Sequence, residues 1–311
     1  MSELDFLRSL PFDIDLPTEE ARDRARGRLL RHTRRSRIDR RRRLLVPAIA
    51  LAAAGLIAVF VDVGNHGGGS ASAAPVLRKF AAIARDQAAP TVVKRGQFRY
   101  TKSVVAYTSG GNGWTALGPG VRETWFGPTA GRIHETWGKP VFLTAADRAG
   151  WIAAGRPQVN PPEDSANLPP ARPLDLPTDP DALYDKLHDQ AVGHGNSTDS
   201  EMFTLVGDAL RESDASPALR AALYEVAARI PGVELVGPAV DRVGRHGVAV
   251  ASVDSKIGLR HELIFGRKTA ALLGEEYVEL EGNADGYPVG AVSGYATYVT
   301  SAVVDRLGAR P

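Results

Sequence analysis

Residues 44–61 read LLVPAIALAAAGLIAVFV, a run without a single charge, and this run constrains the chain more than any other feature. As an α-helix rising ~1.5 Å per residue it reaches about 27 Å, which just crosses the hydrocarbon core of a bilayer. Pro47 falls in the first turn, where a missing N–H is tolerated, and Gly55 is of a type common in spans. A buried helix of a globular core would not have Arg40, Arg41, Arg42 and Arg43 abutting one end and Asp62 closing the other. The run therefore reads as one transmembrane helix, with Leu44 its first residue and Val61 its last.

Charge gives the direction. Residues 1–43 carry 13 arginines, no lysine and 8 acids, whereas the rest of the chain is slightly acidic. By the positive-inside rule the arginine-rich tail stays in the cytoplasm and the C-terminal part lies outside the cell membrane. The tail is arginine beside a span without interleaved aromatics, so its expected partner is the lipid bilayer and no specific nucleic acid. Ala71-Ser72-Ala73 matches a signal-peptide cleavage pattern, but a 43-residue leader before the apolar run is far too long, and a signal anchor is the preferred reading. The chain has no cysteine, which excludes a disulfide framework, a thiolate metal site, a thiol nucleophile and a lipidated cysteine.

Four parts follow: a cytoplasmic tail (1–43), the span (44–61), a Gly/Ser linker (62–74) and an extracytoplasmic domain (75–311). In the tail, a helix with Ala21, Ala25, Leu29 and Leu30 on one stripe reads first as a solvated stalk. A cytoplasmic protein partner or the membrane surface is the alternative for that stripe. In the outer domain a short helix is expected over 75–86, a strand over 97–108, a hairpin over 121–137 and a helix over 144–154. A proline-rich segment, 156–180, is too long for an ordinary connection and is expected to divide the domain or strap across it. Three helices follow, the first capped by Thr178, the third by Ser216 with Pro217 as its first residue. Five strands complete the chain. Strands, then helices, then strands predict an α+β fold, an antiparallel sheet with helices against one face.

The opening SELDFLRSL, the arginine-rich helix, the single span, SASAAPVLRKFA, the stretch from Phe203 to Gly237 and RHELIFGRKTAALLGEE occur in that order. In this combination the chain resembles an uncharacterised family of actinobacterial single-span membrane proteins, often encoded beside extracytoplasmic-function sigma factors. The resemblance implies an accessory or sensor role in envelope or sigma-factor signalling and supplies no catalytic residues. The family's turn after the strand resembles D-P-x-T-G, where this chain has Gly266-Arg267-Lys268-Thr269-Ala270, so a different turn geometry is expected. More loosely, the hairpins and amphipathic helices are similar to the periplasmic lipoprotein-carrier fold.

The search for chemistry gives no catalytic, cofactor-binding or metal-ligating residues to assign. His188 and His194 lie in an H-x5-H spacing that matches no compact zinc pattern. His134-Glu135 and His261-Glu262 are matching pairs on two hairpins; neighbours on a strand point to opposite faces, so both are expected as exposed cross-strand pairs. Trp114, Trp125, Trp137 and Trp151 read first as core, with a shared cleft for a lipid or glycan as the alternative. The expected function is a non-enzymatic binding domain for a lipid, glycan or envelope protein. The rivals are a lipid carrier or chaperone and a hydrolase built on Glu123, Glu135 or Glu262.

Overall fold

The computed structural model describes residues 71–311 apart from 162, 172, 173, 212, 213 and 284, all within one compact unit, Phe60–Pro311. The tail, the span with Arg40, Arg41, Arg42, Arg43, Leu44 and Val61, and most of the linker lie outside the described residues. Among the described residues no helix is long and apolar enough to cross a membrane.

Helix α1 (Ala74–Arg85) opens the unit with a proline in its first turn and buries Leu77, Phe80, Ala81 and Ala84 on one side. Strand β1 (Phe98–Gly111) then turns through Asn112-Gly113 into β2 (Trp114–Phe126), with Gly113 at φ 84°, a conformation glycine adopts without steric cost. Strand β3 (Gly131–Trp137), helix α2 (Ala145–Ala153) and the edge strand β4 (Glu163–Leu168) complete the first meander. Helices α3 (Pro180–Ala191), α4 (Thr198–Leu210) and α5 (Pro217–Ala227) come next. The second meander is β5 (Glu234–Val240), β6 (His246–Asp254), β7 (Leu259–Phe265), β8 (Leu272–Glu279) and β9 (Val292–Val304).

The nine strands of the described residues form one sheet, ordered β4-β3-β2-β1-β9-β8-β7-β6-β5, with every pairing antiparallel. The seam is the β1–β9 pair, which sets Val105 opposite Ala296 and bulges at Lys102/Ser103. The α+β expectation therefore holds: an antiparallel sheet with helices against one face. The proline-rich segment does not divide the domain. It contains β4, whose exposed EDSANL strand is too polar to betray itself by alternation and whose charges suit an open sheet edge. Asp179, not Thr178, caps α3, its carboxylate accepting from Ala182 N at 2.9 Å. Ser216 caps α5 as expected, accepting from Leu219 N at 3.1 Å.

The main core lies between the helices and strands β6 and β7. Phe80, Tyr224 and Phe265 meet with ring centroids 5.4–6.2 Å apart, and Phe203, Leu223 and Leu263 are fully enclosed beside them. Each such side chain contributes about 1.5–3 kcal/mol by leaving water. The other face of the sheet is also covered. Over β1–β3 the C-terminal segment lies on Tyr100 and Trp125, with Trp125 Nε1 donating to Ala309 O at 2.6 Å. Over β8 and β9 the β5–β6 turn brings Arg242 to Glu276 at 2.8 Å and Arg245 to the carbonyls of Leu273 and Tyr298.

Candidate functional site

Strand alternation puts His261 of β7 and Glu275 and Tyr277 of β8 on the helix-bearing face. Next to them in the sheet, beyond the helices' main contacts, a cavity of about 580 Å³ opens. Its walls come from β1, β8 and β9 and from the loops after β6 and β8, and include Tyr107, Glu275, Tyr277, Glu279, Tyr287 and Gly294. Gly294 matters for its size: a Cβ there would stand 3.3 Å from Tyr277 Cδ2, so larger side chains would crowd the ring and the space beside it.

Behind the cavity wall lies a polar network. Helix α4, capped by Ser197, ends at Leu210, so Arg211 leaves the helix beside the sheet. Its guanidinium donates to Glu275 Oε2 at 2.7 Å and reaches Asp208 at 2.8 Å. Tyr298 Oη donates to Glu275 Oε1 at 2.8 Å, and His261 Nε2 stands 3.3 Å from Oε2. The imidazole is fixed by its rings: it stacks on Tyr277 at 4.5 Å and receives the edge of Phe203 at 5.4 Å. Burial is the largest influence on the Glu275 carboxyl and pushes its pKa up. The His261 hydrogen bond and the Arg211 charge together outweigh it and bring the pKa down to about 2. Burial, then the Glu275 charge, push the Tyr277 phenol up to about 12.

Glu279 differs. It is 4 % exposed, and burial raises its pKa, opposed by a hydrogen bond with Ser293 and reinforced by the charge of Asp285. A carboxylate pinned in its ionised form, like Glu275, is a poor general acid or base near neutrality. What the site can do is enclose a small group between tyrosine rings and carboxylates.

The expected pairs of exposed His and Glu are corrected here. His261 and Glu262 are both 6 % exposed, because helices cover one face of β7 while Arg260, 2.6 Å from Glu262, packs on the other. His134 is half-buried, 2.8 Å from Ser165 Oγ. The network centred on Glu275 was not singled out in the sequence; the alternation around β8 carried its only signal. The four tryptophans do not share a cleft, and none lines the cavity. Trp125 lies under the C-terminal segment with Arg310. Trp137 covers Gly120 and meets Tyr107 at 6.1 Å, Trp151 packs on Phe142 at 5.2 Å, and Trp114 pairs with Gly111 beside α2. Glu123 is held by Arg310 and Tyr100, Glu135 faces Arg122 on the opposite side of the sheet, and Glu262 is several strands away. His188 is on α3 and stacks on Tyr184. No group of three or more His, Cys, Asp or Glu suited to a metal ion occurs among the described residues.

No protein-family model matches the sequence, and comparison with curated proteins finds no match. Among solved structures, the chain is similar to a DUF1329 family protein from Desulfovibrio piger ATCC 29098. Identity is 10%, the alignment covers 76% of this chain and 93% of that one, and the TM-score is 0.20. A likeness at that score carries no argument about function.

Proposed function

We propose that the chain is a single-pass membrane protein whose extracytoplasmic α+β domain binds a ligand in the cavity beside Glu275. Its role is that of an accessory or sensor protein in envelope or sigma-factor signalling. The observation that carries the reading is the cavity itself, about 580 Å³, within the range of small-molecule sites and backed by a polar network in which Arg211, Tyr298 and His261 all reach Glu275. A buried polar network is costly where a member lacks a partner, as Arg211 Nε does here, so its position behind a cavity is informative. A lipoprotein-carrier-like scaffold is supported by the layout, an antiparallel sheet with helices on one face and the cavity on that same face.

The tether is read as uncut. Residues 71–73, the cleavage-like pattern, belong to the edge of the folded unit: Ser72 bridges Glu234, Leu235 N donates to Ala71 O at 2.7 Å, and Ala73 is fully buried. Cleavage after Ala73 would remove that edge. The binding reading is preferred to a hydrolase because Glu123, Glu135 and Glu262 are dispersed over the sheet.

Native mass spectrometry of the full chain, extracted in a neutral detergent, tests the proposal. A bound mass is expected with the wild type and none with Gly294→Leu, whose circular dichroism should match the wild type. An empty wild type, or a mass that persists in the variant, would refute it.

A further inference from the structure

We infer that the cavity recognises an organic ammonium group, bordered by Tyr107, Tyr277 and Tyr287 and facing the carboxylates of Glu279 and Asp285. The inference rests on the binding role proposed above and names the chemistry of the ligand. Three acids and no Lys, Arg or His contribute to the cavity wall. Glu275 is already matched by Arg211, His261 and Tyr298, so it brings no unmet charge. Glu279 is another matter: it is almost wholly buried, and among the described residues no basic side chain forms an ion pair with it. Asp285, exposed at the rim, adds negative charge from the same side. A buried carboxylate without a counter-cation is costly, and a bound cation relieves that cost.

The aromatic walls point the same way. A cation over a tyrosine face is attracted by the ring quadrupole, most strongly where water is excluded. Tyr277 is fixed by its stack on His261, and Tyr287 is 7 % exposed and anchored through its backbone N–H to Asn283 Oδ1 at 2.8 Å. An acyl chain would leave Glu279 desolvated against hydrocarbon, and an anion would meet three acids and no basic side chain on the wall. The ammonium group could belong to a soluble amine or to a lipid headgroup.

The test is isothermal titration of the full chain in a neutral maltoside detergent with three probes of similar size and different charge. Benzyltrimethylammonium is expected to bind at least about tenfold more tightly than benzyl alcohol, with phenylmethanesulfonate showing no binding. Glu279→Gln should weaken the ammonium probe about tenfold. Asp285→Asn, at an exposed position, should weaken it about threefold and serves if the buried variant fails to fold. Titration with ethanolamine and with dihexanoylphosphatidylethanolamine tells the two sources apart, and tighter binding of either supports the inference. Equal or tighter binding of the neutral or anionic probe, or unchanged affinity in both variants, overturns it. If no probe binds while native mass spectrometry still detects a Gly294-dependent ligand, the ammonium assignment falls alone; if that ligand is also missing, the binding role falls with it.

Discussion

Removing the guanidinium of Arg211 isolates the contribution of the buried network. Arg211 and Glu275 are 2.7 Å apart, with side chains 31% and 6% exposed. Lowering the Glu275 carboxyl from 4.5 to about 2 corresponds to about 3 kcal/mol of stability at neutral pH, shared among all its partners. Breaking a buried pair by deleting one member typically costs about 3–5 kcal/mol. Arg211 is partly solvated and Tyr298 and His261 remain, so Arg211→Met should cost about 2 kcal/mol at pH 7. Because the folded carboxyl lies below its ordinary value, the stabilisation is complete above pH 4.5 and is lost as pH falls towards about 2. The difference between wild type and variant should shrink over that same window. Urea unfolding followed by tryptophan fluorescence reads both quantities, and a cycle with Glu275→Gln and the double variant should give a coupling of about 2 kcal/mol. A cost and a coupling both below about 0.5 kcal/mol would refute the reasoning, placing the pair with ordinary surface bridges.

Further outcomes are expected elsewhere in the fold. Tyr224→Phe removes a buried hydroxyl that donates to Ala270 O and should cost about 1–2 kcal/mol in urea unfolding. Ser216→Ala should lose about 1 kcal/mol with the α5 cap. Arg310→Ala should let the Glu123 carboxyl, now held at about 2 chiefly by the Arg310 hydrogen bond against burial, rise towards 4.5 in a carbon-13 NMR titration. Since Arg310 is largely exposed, the accompanying stability loss should stay below about 1 kcal/mol.

Much of this fold was legible in the sequence because its signals are local. Ser216-Pro217 and the stripe of Leu219, Leu223 and Val226 mark α5, and the β-branched runs mark β1 and β6 to β9. The strand β4 was missed because Glu163 and Asp164 on an open edge have no apolar face to display. The β1–β9 seam was missed because a pairing between residues about two hundred positions apart leaves no periodicity. In the turn after β7, Ala270 takes φ 51°, a region that glycine enters more readily than alanine, and composition alone did not mark it. The candidate site was least legible. Glu275 reads as one more charge on an alternating strand, and its partners Arg211, His261 and Tyr298 come from a helix end and two other strands, far apart in sequence.

The account as a whole requires the cavity to open to the outside of the cell, and the absence of native cysteine makes that directly measurable. Single-cysteine variants, Asp285→Cys at the cavity rim and Ser9→Cys in the arginine-rich tail, would be treated in intact cells with a membrane-impermeant maleimide. The account predicts that the rim position is labelled in intact cells and the tail position only after the membrane is opened. Labelling of the tail in intact cells, or of the rim only after lysis, would contradict it.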